Sequence, residues 1–194
     1  MRSLTKIGIL DVQGAVREHA DRMRAVGADV VLVKHAQDLD AVQGLILPGG
    51  ESTTIGKLIR KYDLYEPIRS RIEQGMPVFG TCAGMILLAK SIHQQDDVHL
   101  GVMDITVDRN SFGRQRESFE ADLNVAGLSG DAYPAVFIRA PQVLAKGEHV
   151  DVIATYDGHI VGVREHSMLA TSFHPELTED TRLHAYFLAM VNEA

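Results

Sequence analysis

The chain contains one cysteine, Cys82, and its neighbours are the residues best suited to chemistry. Cys82 lies in the segment Gly80-Thr81-Cys82-Ala83-Gly84, after the apolar run 76–79 and before the helix-forming run 85–90. A strand, a tight turn flanked by glycines and a helix make up a nucleophile elbow, which presents one side chain at the C-terminal edge of a sheet. Free backbone N–H groups at the start of a helix favour a thiolate and can hold an oxyanion. The spacing therefore predicts a cysteine nucleophile.

A second pattern, near the C-terminus, could supply a base and a carboxylate. Phe173-His174-Pro175-Glu176 follows the apolar run 168–172, which predicts a strand. His174 and Glu176 are two residues apart, so in extended chain both would point to the same side. A carboxylate that orients an imidazole, which in turn activates a thiol, is a catalytic triad, and we expect these residues to form one with Cys82. The alternative is that Cys82 is a small core residue, since free cysteines are often buried.

Composition limits the classes of protein that fit. With 194 residues, of which 45% are apolar and 23% charged, we expect one globular domain over residues 1–194. The formal charge of −7 argues against a nucleic-acid surface, which is normally basic. A single cysteine excludes an internal disulfide and fits a reducing cytosol. Since no apolar run approaches membrane-spanning length, we expect a soluble, cytoplasmic protein.

The elements that must position these residues alternate in the first 90 residues and then change character. Apolar runs at 6–12, 29–34, 44–47 and 76–80 predict strands, separated by helices over 15–26 and a helical pair over 53–74. This alternation favours an α/β fold with helices on both faces of a mostly parallel sheet. Later strands, which predict an antiparallel extension or a mixed sheet, are expected at 99–108, 117–125, 134–139, 142–147, 150–156, 159–164 and 168–174. A last helix is predicted over about 180–192.

Two loop patterns could complete a site. Leu47-Pro48-Gly49-Gly50-Glu51-Ser52-Thr53 follows the third strand, where paired glycines can offer N–H groups to an oxyanion, although Ser52 or Thr53 could simply cap the next helix. Arg109, in the polar connection 109–115, and Arg139, at a strand end, could each hold a substrate carboxylate, or lie in solvated loops. The other histidines show no metal-ligand spacing, and no phosphate-binding or dinucleotide-binding glycine motif is present.

The elbow cysteine, the Pro-Gly-Gly loop and the late His-Pro-Glu, in that order, resemble the class I (triad) glutamine amidotransferases. Within that superfamily the chain is similar to the glutaminase subunits of pyridoxal 5′-phosphate synthase, and the similarity covers residues 13 to 176. It rests on Gln13-Gly14-Ala15-Val16-Arg17-Glu18-His19, Pro48-Gly49-Gly50-Glu51-Ser52-Thr53, Gly80-Thr81-Cys82-Ala83-Gly84, Arg109-Asn110-Ser111-Phe112-Gly113-Arg114-Gln115 with Ser118-Phe119-Glu120, Phe137-Ile138-Arg139-Ala140-Pro141 and Phe173-His174-Pro175-Glu176.

The resemblance implies a flavodoxin-like three-layer α/β sandwich that hydrolyses L-glutamine to L-glutamate and ammonia without a metal or organic cofactor. The ammonia would pass to a separate barrel-shaped synthase subunit in a hetero-oligomer. By match of motif, Cys82, His174 and Glu176 are the triad, and the backbone N–H of Ala83 and the Gly49-Gly50 loop form the oxyanion hole. Gln13 would lie near the synthase contact and help to set that loop. Contacts to glutamine would come from Gly50, Glu51, Ser52, Arg109, Ile138 and Arg139.

Three alternatives remain open from the sequence. The first is the glutaminase subunit of another amidotransferase, in purine or histidine synthesis, which would share the triad but not the 13–19 and 109–115 blocks. The second is a cysteine peptidase or stress-type hydrolase on a similar fold, which would give no reason for the late His-Pro-Glu. The third is a non-catalytic binding module in which Cys82 only fills the core.

Overall fold

The computed structural model describes residues 3–112 and 118–194. In the first half, strands and helices alternate: β1 (Lys6–Leu10), α1 (Val16–Ala25), β2 (Asp29–Val33), a 3₁₀ turn (Ala36–Ala41), β3 (Gly44–Leu47), α2 (Ser52–Lys61), α3 (Tyr65–Glu73), β4 (Val78–Thr81) and α4 (Ala83–Leu88). The second half adds β5 (Ala89–Ile92), β6 (Met103–Asp108), β7 (Ser118–Leu123), β8 (Tyr133–Ile138), β9 (Gln142–Lys146), β10 (Asp151–Tyr156), β11 (His159–Glu165), β12 (Met168–Thr171), a 3₁₀ turn (Pro175–Leu177) and α5 (Arg182–Glu193).

Ten of the strands form one mixed sheet in the order β2-β1-β3-β4-β12-β11-β9-β6-β5, with β10 paired to β11. The pairs from β2 to β12 are parallel, and the last strand β12 joins this block directly beside β4. Beyond β12 the pairs β12/β11, β11/β9 and β9/β6 are antiparallel, while β7 and β8 form a separate two-stranded sheet. The expected mostly parallel sheet with an antiparallel extension is therefore confirmed.

Alternating residues of the central strands build two cores, one on each face of the sheet. In β3, Leu45 and Leu47 join the cluster that contains residues of α2, α3 and α4, whereas Ile46 joins the cluster beneath α1 and α5. Val78 and Phe79 of β4 divide in the same way. Successive side chains of a strand point to opposite faces of the sheet. Because both faces are covered here, these strands are continuous apolar runs in the sequence. The result is three layers, with helices on both sides of the sheet.

Several predicted boundaries are wrong. The helix expected at 85–90 ends at Leu88, and residues 89–92 are β5, which pairs with β6. The strand expected from 99 begins at Met103, and β1 ends at Leu10 rather than at residue 12. The strand expected at 168–174 ends at Thr171, so His174 follows the strand instead of belonging to it. No helix in the described ranges is long and apolar enough to cross a membrane.

Candidate active site

The turn between β4 and α4 holds Cys82 in a strained conformation. Its φ is 51° and its ψ is −104°, a combination that residues other than glycine rarely adopt. Hydrogen bonds fix this backbone: the Cys82 N–H donates to the Thr171 carbonyl at 2.8 Å, and the Cys82 carbonyl accepts from the Met85 N–H at 3.0 Å. A Cβ on Gly80 would lie 2.6 Å from the Gly84 backbone, so the flanking glycines are sterically required. The expected elbow is present.

The Cys82 thiol is mostly buried and lies beside the end of a neighbouring strand. It donates a weak hydrogen bond to the Ile138 carbonyl, with the sulfur 3.6 Å from the oxygen. The residue after it, Ala83, is the first of α4, and its N–H therefore has no partner within the helix. An oxygen atom held at this N–H would lie next to the sulfur.

His174 and Glu176 meet in the same region, but not for the reason expected from sequence. Pro175 begins a 3₁₀ turn, with His174 as its N-cap, so the two residues are not in extended chain. The turn nevertheless brings Nδ1 of His174 into a short hydrogen bond with Oε1 of Glu176. The His174 N–H donates to the Val136 carbonyl at 2.8 Å, which ties this segment to β8.

The charge of the imidazole is set by its neighbours. Burial lowers the pKa of His174, but the hydrogen bonds to Cys82 and Glu176 outweigh burial and raise it to about 10. The protonated imidazole is thus favoured between a thiol and a carboxylate. An imidazole placed in this way can take the proton of the neighbouring thiol.

The Pro48–Ser52 loop packs against the imidazole from the other side. A Cβ built on Gly49 would lie 2.5 Å from Cε1 of His174, so only glycine fits there. The Gly49 carbonyl accepts a hydrogen bond from the Ala15 N–H at 2.9 Å, and the side-chain oxygen of Gln13 accepts one from the Glu51 N–H at 2.9 Å. The segment 13–15 therefore holds the loop in place.

Glu51 caps α2. Its carboxylate accepts hydrogen bonds from the N–H groups of Thr53 and Thr54 and from the Thr54 hydroxyl, which lowers its pKa. Neither Ser52 nor Thr53 is the cap, contrary to the alternative raised from sequence, and Ser52 is instead the buried first residue of α2.

Two arginines reach the same region. The Arg109 guanidinium lies 3.5 Å from a Glu51 carboxylate oxygen, while Arg139 is exposed at φ 45° and pairs with no carboxylate in the described part of the chain. Gly113, Arg114 and Gln115, in the second part of the predicted 109–115 connection, lie outside the described residues.

A cavity of about 650 Å³ unites these groups. Its lining includes every candidate site residue taken from the sequence: Gln13, Gly49, Gly50, Glu51, Ser52, Cys82, Ala83, Arg109, Ile138, Arg139, His174 and Glu176. It also includes residues that were not singled out, among them Ile86, Asn110 and Leu177. Its volume suits a small molecule. A strained elbow thiol, an imidazolium and a carboxylate line this cavity, and this is the set of groups that a triad-type hydrolase uses to attack a carbonyl group.

Comparison with known proteins places the chain within one family. The model of the SNO glutamine amidotransferase family matches residues 9–193, and the chain belongs to that family. It is 57% identical over 189 residues to a pyridoxal 5′-phosphate synthase subunit PdxT from Geobacillus kaustophilus, which covers 97% of this chain and 96% of that protein. It is 54% identical over 191 residues to the PdxT subunit from Bacillus thuringiensis, covering 98% of this chain and 97% of that one.

Solved structures share the fold. A crystal structure of a glutamine amidotransferase superposes with a TM-score of 0.91 and 48% identity, covering 96% of this chain and 98% of the other. The PurLQS structure from Thermotoga maritima superposes with a TM-score of 0.66 at 17% identity, which shows likeness of fold alone. The predicted class I glutamine amidotransferase fold is confirmed.

Proposed function

We propose that the chain is the glutaminase subunit of a pyridoxal 5′-phosphate synthase, which hydrolyses L-glutamine and supplies ammonia to a synthase subunit. The observation that carries the proposal is the strained Cys82 thiol beside the His174–Glu176 pair, at the floor of a cavity of small-molecule size. The identity to subunits named PdxT supports the pathway.

In the first step, the Cys82 thiolate attacks the side-chain carbonyl carbon of glutamine. The carbonyl oxygen becomes negative, and the N–H of Ala83, with one from the Gly49–Gly50 loop, stabilises it. Such a donor typically contributes about 3–4 kcal/mol to the transition state. His174 takes the proton of the thiol, and Nδ1–H of the protonated imidazole donates a hydrogen bond to Glu176.

In the second step, the C–N bond breaks and His174 transfers its proton to the departing nitrogen, which leaves as ammonia. The product is a thioester on Cys82. Water then attacks the thioester, His174 takes one proton from that water, and the C–S bond breaks to expel the Cys82 thiolate. The acid formed loses its remaining proton to the ammonia released earlier, so that glutamate leaves and the thiolate and protonated imidazole are restored. Atoms and charge balance without a further reactant, and one imidazole acts as acid and then as base.

The polar rim of the cavity would bind the charged end of glutamine. The guanidinium of Arg139, which pairs with no carboxylate among residues 3–112 and 118–194, would bind the α-carboxylate, while the guanidinium of Arg109 lies 3.5 Å from the Glu51 carboxylate. The carboxylate of Glu51 is occupied by the cap of α2, so its contact to glutamine would come from its backbone or through Arg109. Gly50, Ser52 and Ile138 complete the wall.

The synthase subunit, which we propose is a barrel, would dock at the mouth of this cavity. Two of the exposed large apolar side chains, Ile138 and Leu177, lie at that mouth, at 37% and 43% exposure. Gln13 is exposed beside them and holds the Glu51 N–H, so a partner that touches Gln13 could set the oxyanion loop. We further propose that the whole chain acts as one domain in the cytoplasm.

The experiment uses the chain mixed with a pyridoxal 5′-phosphate synthase subunit and the pentose and triose phosphates. With wild-type chain, pyridoxal phosphate should form from glutamine. With Cys82→Ala it should form only when an ammonium salt replaces glutamine, because the ammonia is then supplied from outside. Formation from glutamine by Cys82→Ala would refute the role of the thiol, and no response to wild-type chain would refute the partner.

A further inference from the structure

A row of buried polar side chains continues from Glu176 away from the cavity. Oε2 of Glu176, the oxygen that does not bind His174, lies 3.3 Å from Nε2 of His19. The same Nε2 lies 3.0 Å from the Thr81 hydroxyl, and Nδ1 of His19 lies 2.9 Å from Nε2 of His184. Both histidines are fully buried, and the row ends at Nδ1 of His184, which has no partner in the described part of the chain.

Both histidines of this row are neutral. Burial, followed by the charges of His184 and His174, lowers the pKa of His19 well below its ordinary value. Burial, followed by the charge of Arg22, lowers the pKa of His184 to about 3. Each imidazole therefore carries one N–H and one lone pair, and the neighbours decide which nitrogen holds the hydrogen.

The carboxylate fixes the direction of the whole row. Oε2 of Glu176 offers only lone pairs, has no hydrogen bond within residues 3–112 and 118–194, and lies 3.3 Å from Nε2 of His19. A hydrogen on Nε2 would face this unsatisfied oxygen as well as the Thr81 hydroxyl, whereas a lone pair there would repel the carboxylate, so we assign the hydrogen to Nε2. Nδ1 of His19 is then a lone pair, and Nε2 of His184 must donate to it. The bare Nδ1 of His184 is left without a partner, which is less costly than a buried N–H without an acceptor. Every N–H of the row thus points toward Glu176.

We propose that His19 is a positioning residue for the triad, which directs its Nε2–H to Oε2 of Glu176 and holds that carboxylate oriented toward His174. His184 acts one step further back, by holding His19 in the required tautomer. Neither residue lines the cavity, so neither would touch the substrate. This inference rests on the proposed glutaminase function and adds to it a residue that acts through Glu176.

The helix α1 connects this row of side chains to the loop on the other side of the cavity. Its N-terminal flank, Gln13 to Ala15, holds the Gly49 loop, and one turn later His19 reaches Glu176. One helix therefore braces both sides of the cavity. The groups that face His19 come from three elements: Phe79 and Thr81 on β4, Glu176 on the 3₁₀ turn and His184 on α5. His174 and Arg22 are the further charges nearby.

The test compares His19→Leu, which has no N–H, with His19→Gln, whose side-chain amide can place an N–H near the position of Nε2. Steady-state glutaminase activity is measured with the synthase subunit present. We expect His19→Leu to lower kcat about tenfold to a hundredfold with little change in KM, since a hydrogen bond to a charged group is lost. The basic limb of the kcat/KM profile should move to lower pH, because a poorly held Glu176 raises the pKa of His174 less. His19→Gln should restore most of kcat and the position of the limb.

The exposed His93, changed to Leu, is the matched control and should leave both quantities as in wild type. If wild type is active and His19→Leu has the same kcat and the same basic limb, the inference is wrong. If wild type itself does not hydrolyse glutamine, it is the proposed function that fails. A loss of kcat in His19→Leu without a shift of the limb, not restored by His19→Gln, would also overturn the inference in favour of a purely structural role.

A second measurement needs no variant. The ¹⁵N chemical shifts of the imidazoles in wild-type protein report the tautomer of each histidine. We expect neutral His19 and neutral His184, both with the hydrogen on Nε2. A hydrogen on Nδ1 of His19, or a charged His19 near pH 7, would overturn the inference even if His19→Leu does not fold.

Discussion

Gly49 contacts the catalytic imidazole so closely that a single methyl group there should disable the enzyme. The added Cβ of Gly49→Ala would lie 2.5 Å from Cε1 and 2.8 Å from Nδ1 of His174, whereas ordinary contact begins at 3.4 Å. The imidazole would have to move by about 0.9 Å. Its hydrogen bond to Glu176, and the hydrogen bond from the backbone N–H of His174 to the Val136 carbonyl, resist that movement. A misplacement of about 1 Å at a reacting group costs about 100-fold in rate, or about 2.7 kcal/mol of activation free energy.

The assay is steady-state release of glutamate by the chain with its synthase partner, with unfolding measured in parallel. We expect kcat of Gly49→Ala to fall about 100-fold while KM changes little. Gly75→Ala is the control: its Cβ would meet nothing within 4 Å, although the positive φ of 103° makes an alanine there strained. The control should therefore lower stability without lowering kcat. Wild-type kcat in folded Gly49→Ala would refute the placement of the imidazole against the loop.

Three further predictions follow from the geometry. Because Cys82 has φ 51°, Cys82→Gly should be more stable than Cys82→Ala by about 1 kcal/mol, or about 2–4 °C in Tm, and both variants should be inactive. If Cys82→Ala were the more stable variant, the backbone of Cys82 would not be strained. Arg139→Ala should raise KM for glutamine about tenfold with little change in kcat. Lys57→Ala, an exposed substitution on α2, is the control and should leave KM unchanged. An unchanged KM in Arg139→Ala would show that Arg139 does not bind the substrate. Because burial lowers the pKa of His184 to about 3, the neutral imidazole stabilises the folded protein fully above its ordinary pKa of 6.5, and this stabilisation is lost as the pH falls toward 3. When the pH falls from 6.5 to 5.5, the free energy of unfolding in urea should therefore decrease by about 1 kcal/mol less in His184→Gln than in wild type. Equal decreases would mean that His184 is not buried in its neutral form.

The location of the site could be predicted from sequence because strand ends carry it. Cys82 follows β4, Gly49 follows β3 and His174 comes three residues after β12, and these strands are parallel neighbours, so their C-terminal ends meet at one edge. Local patterns of glycine and apolar residues are enough to find such ends. The parallel pairing of β3, β4 and β12 then brings Gly49, Cys82 and His174 together at that edge.

Features that depend on tertiary contact could not be predicted. Ala89 and Lys90 follow an apolar run and favour helix, yet residues 89–92 form an edge strand because β6 offers a partner. The meeting of His174 with Glu176 depends on a 3₁₀ turn that Pro175 begins, which a two-residue spacing does not reveal. Glu51 is taken up by the cap of α2, and only the bonds to Thr53 and Thr54 show it.

The roles of His19 and His184 were also missed. One signal for His19 was available, since it lies on the apolar face of α1 with Val16, Ala20 and Met23, where a polar residue calls for a partner. The identity of that partner required the structure, because Glu176 is more than 150 residues away in the chain.

The central claim, that Cys82 is the nucleophile for the side-chain carbonyl of glutamine, is tested most directly by covalent trapping. The chain, with its synthase partner, is incubated with a glutamine analogue that carries a diazoketone in place of the amide, and the peptides are analysed by mass spectrometry. We predict one adduct per chain, on Cys82, with activity lost in proportion to labelling and protection by glutamine. Full labelling of another residue, or full activity in a chain labelled at Cys82, would contradict the account.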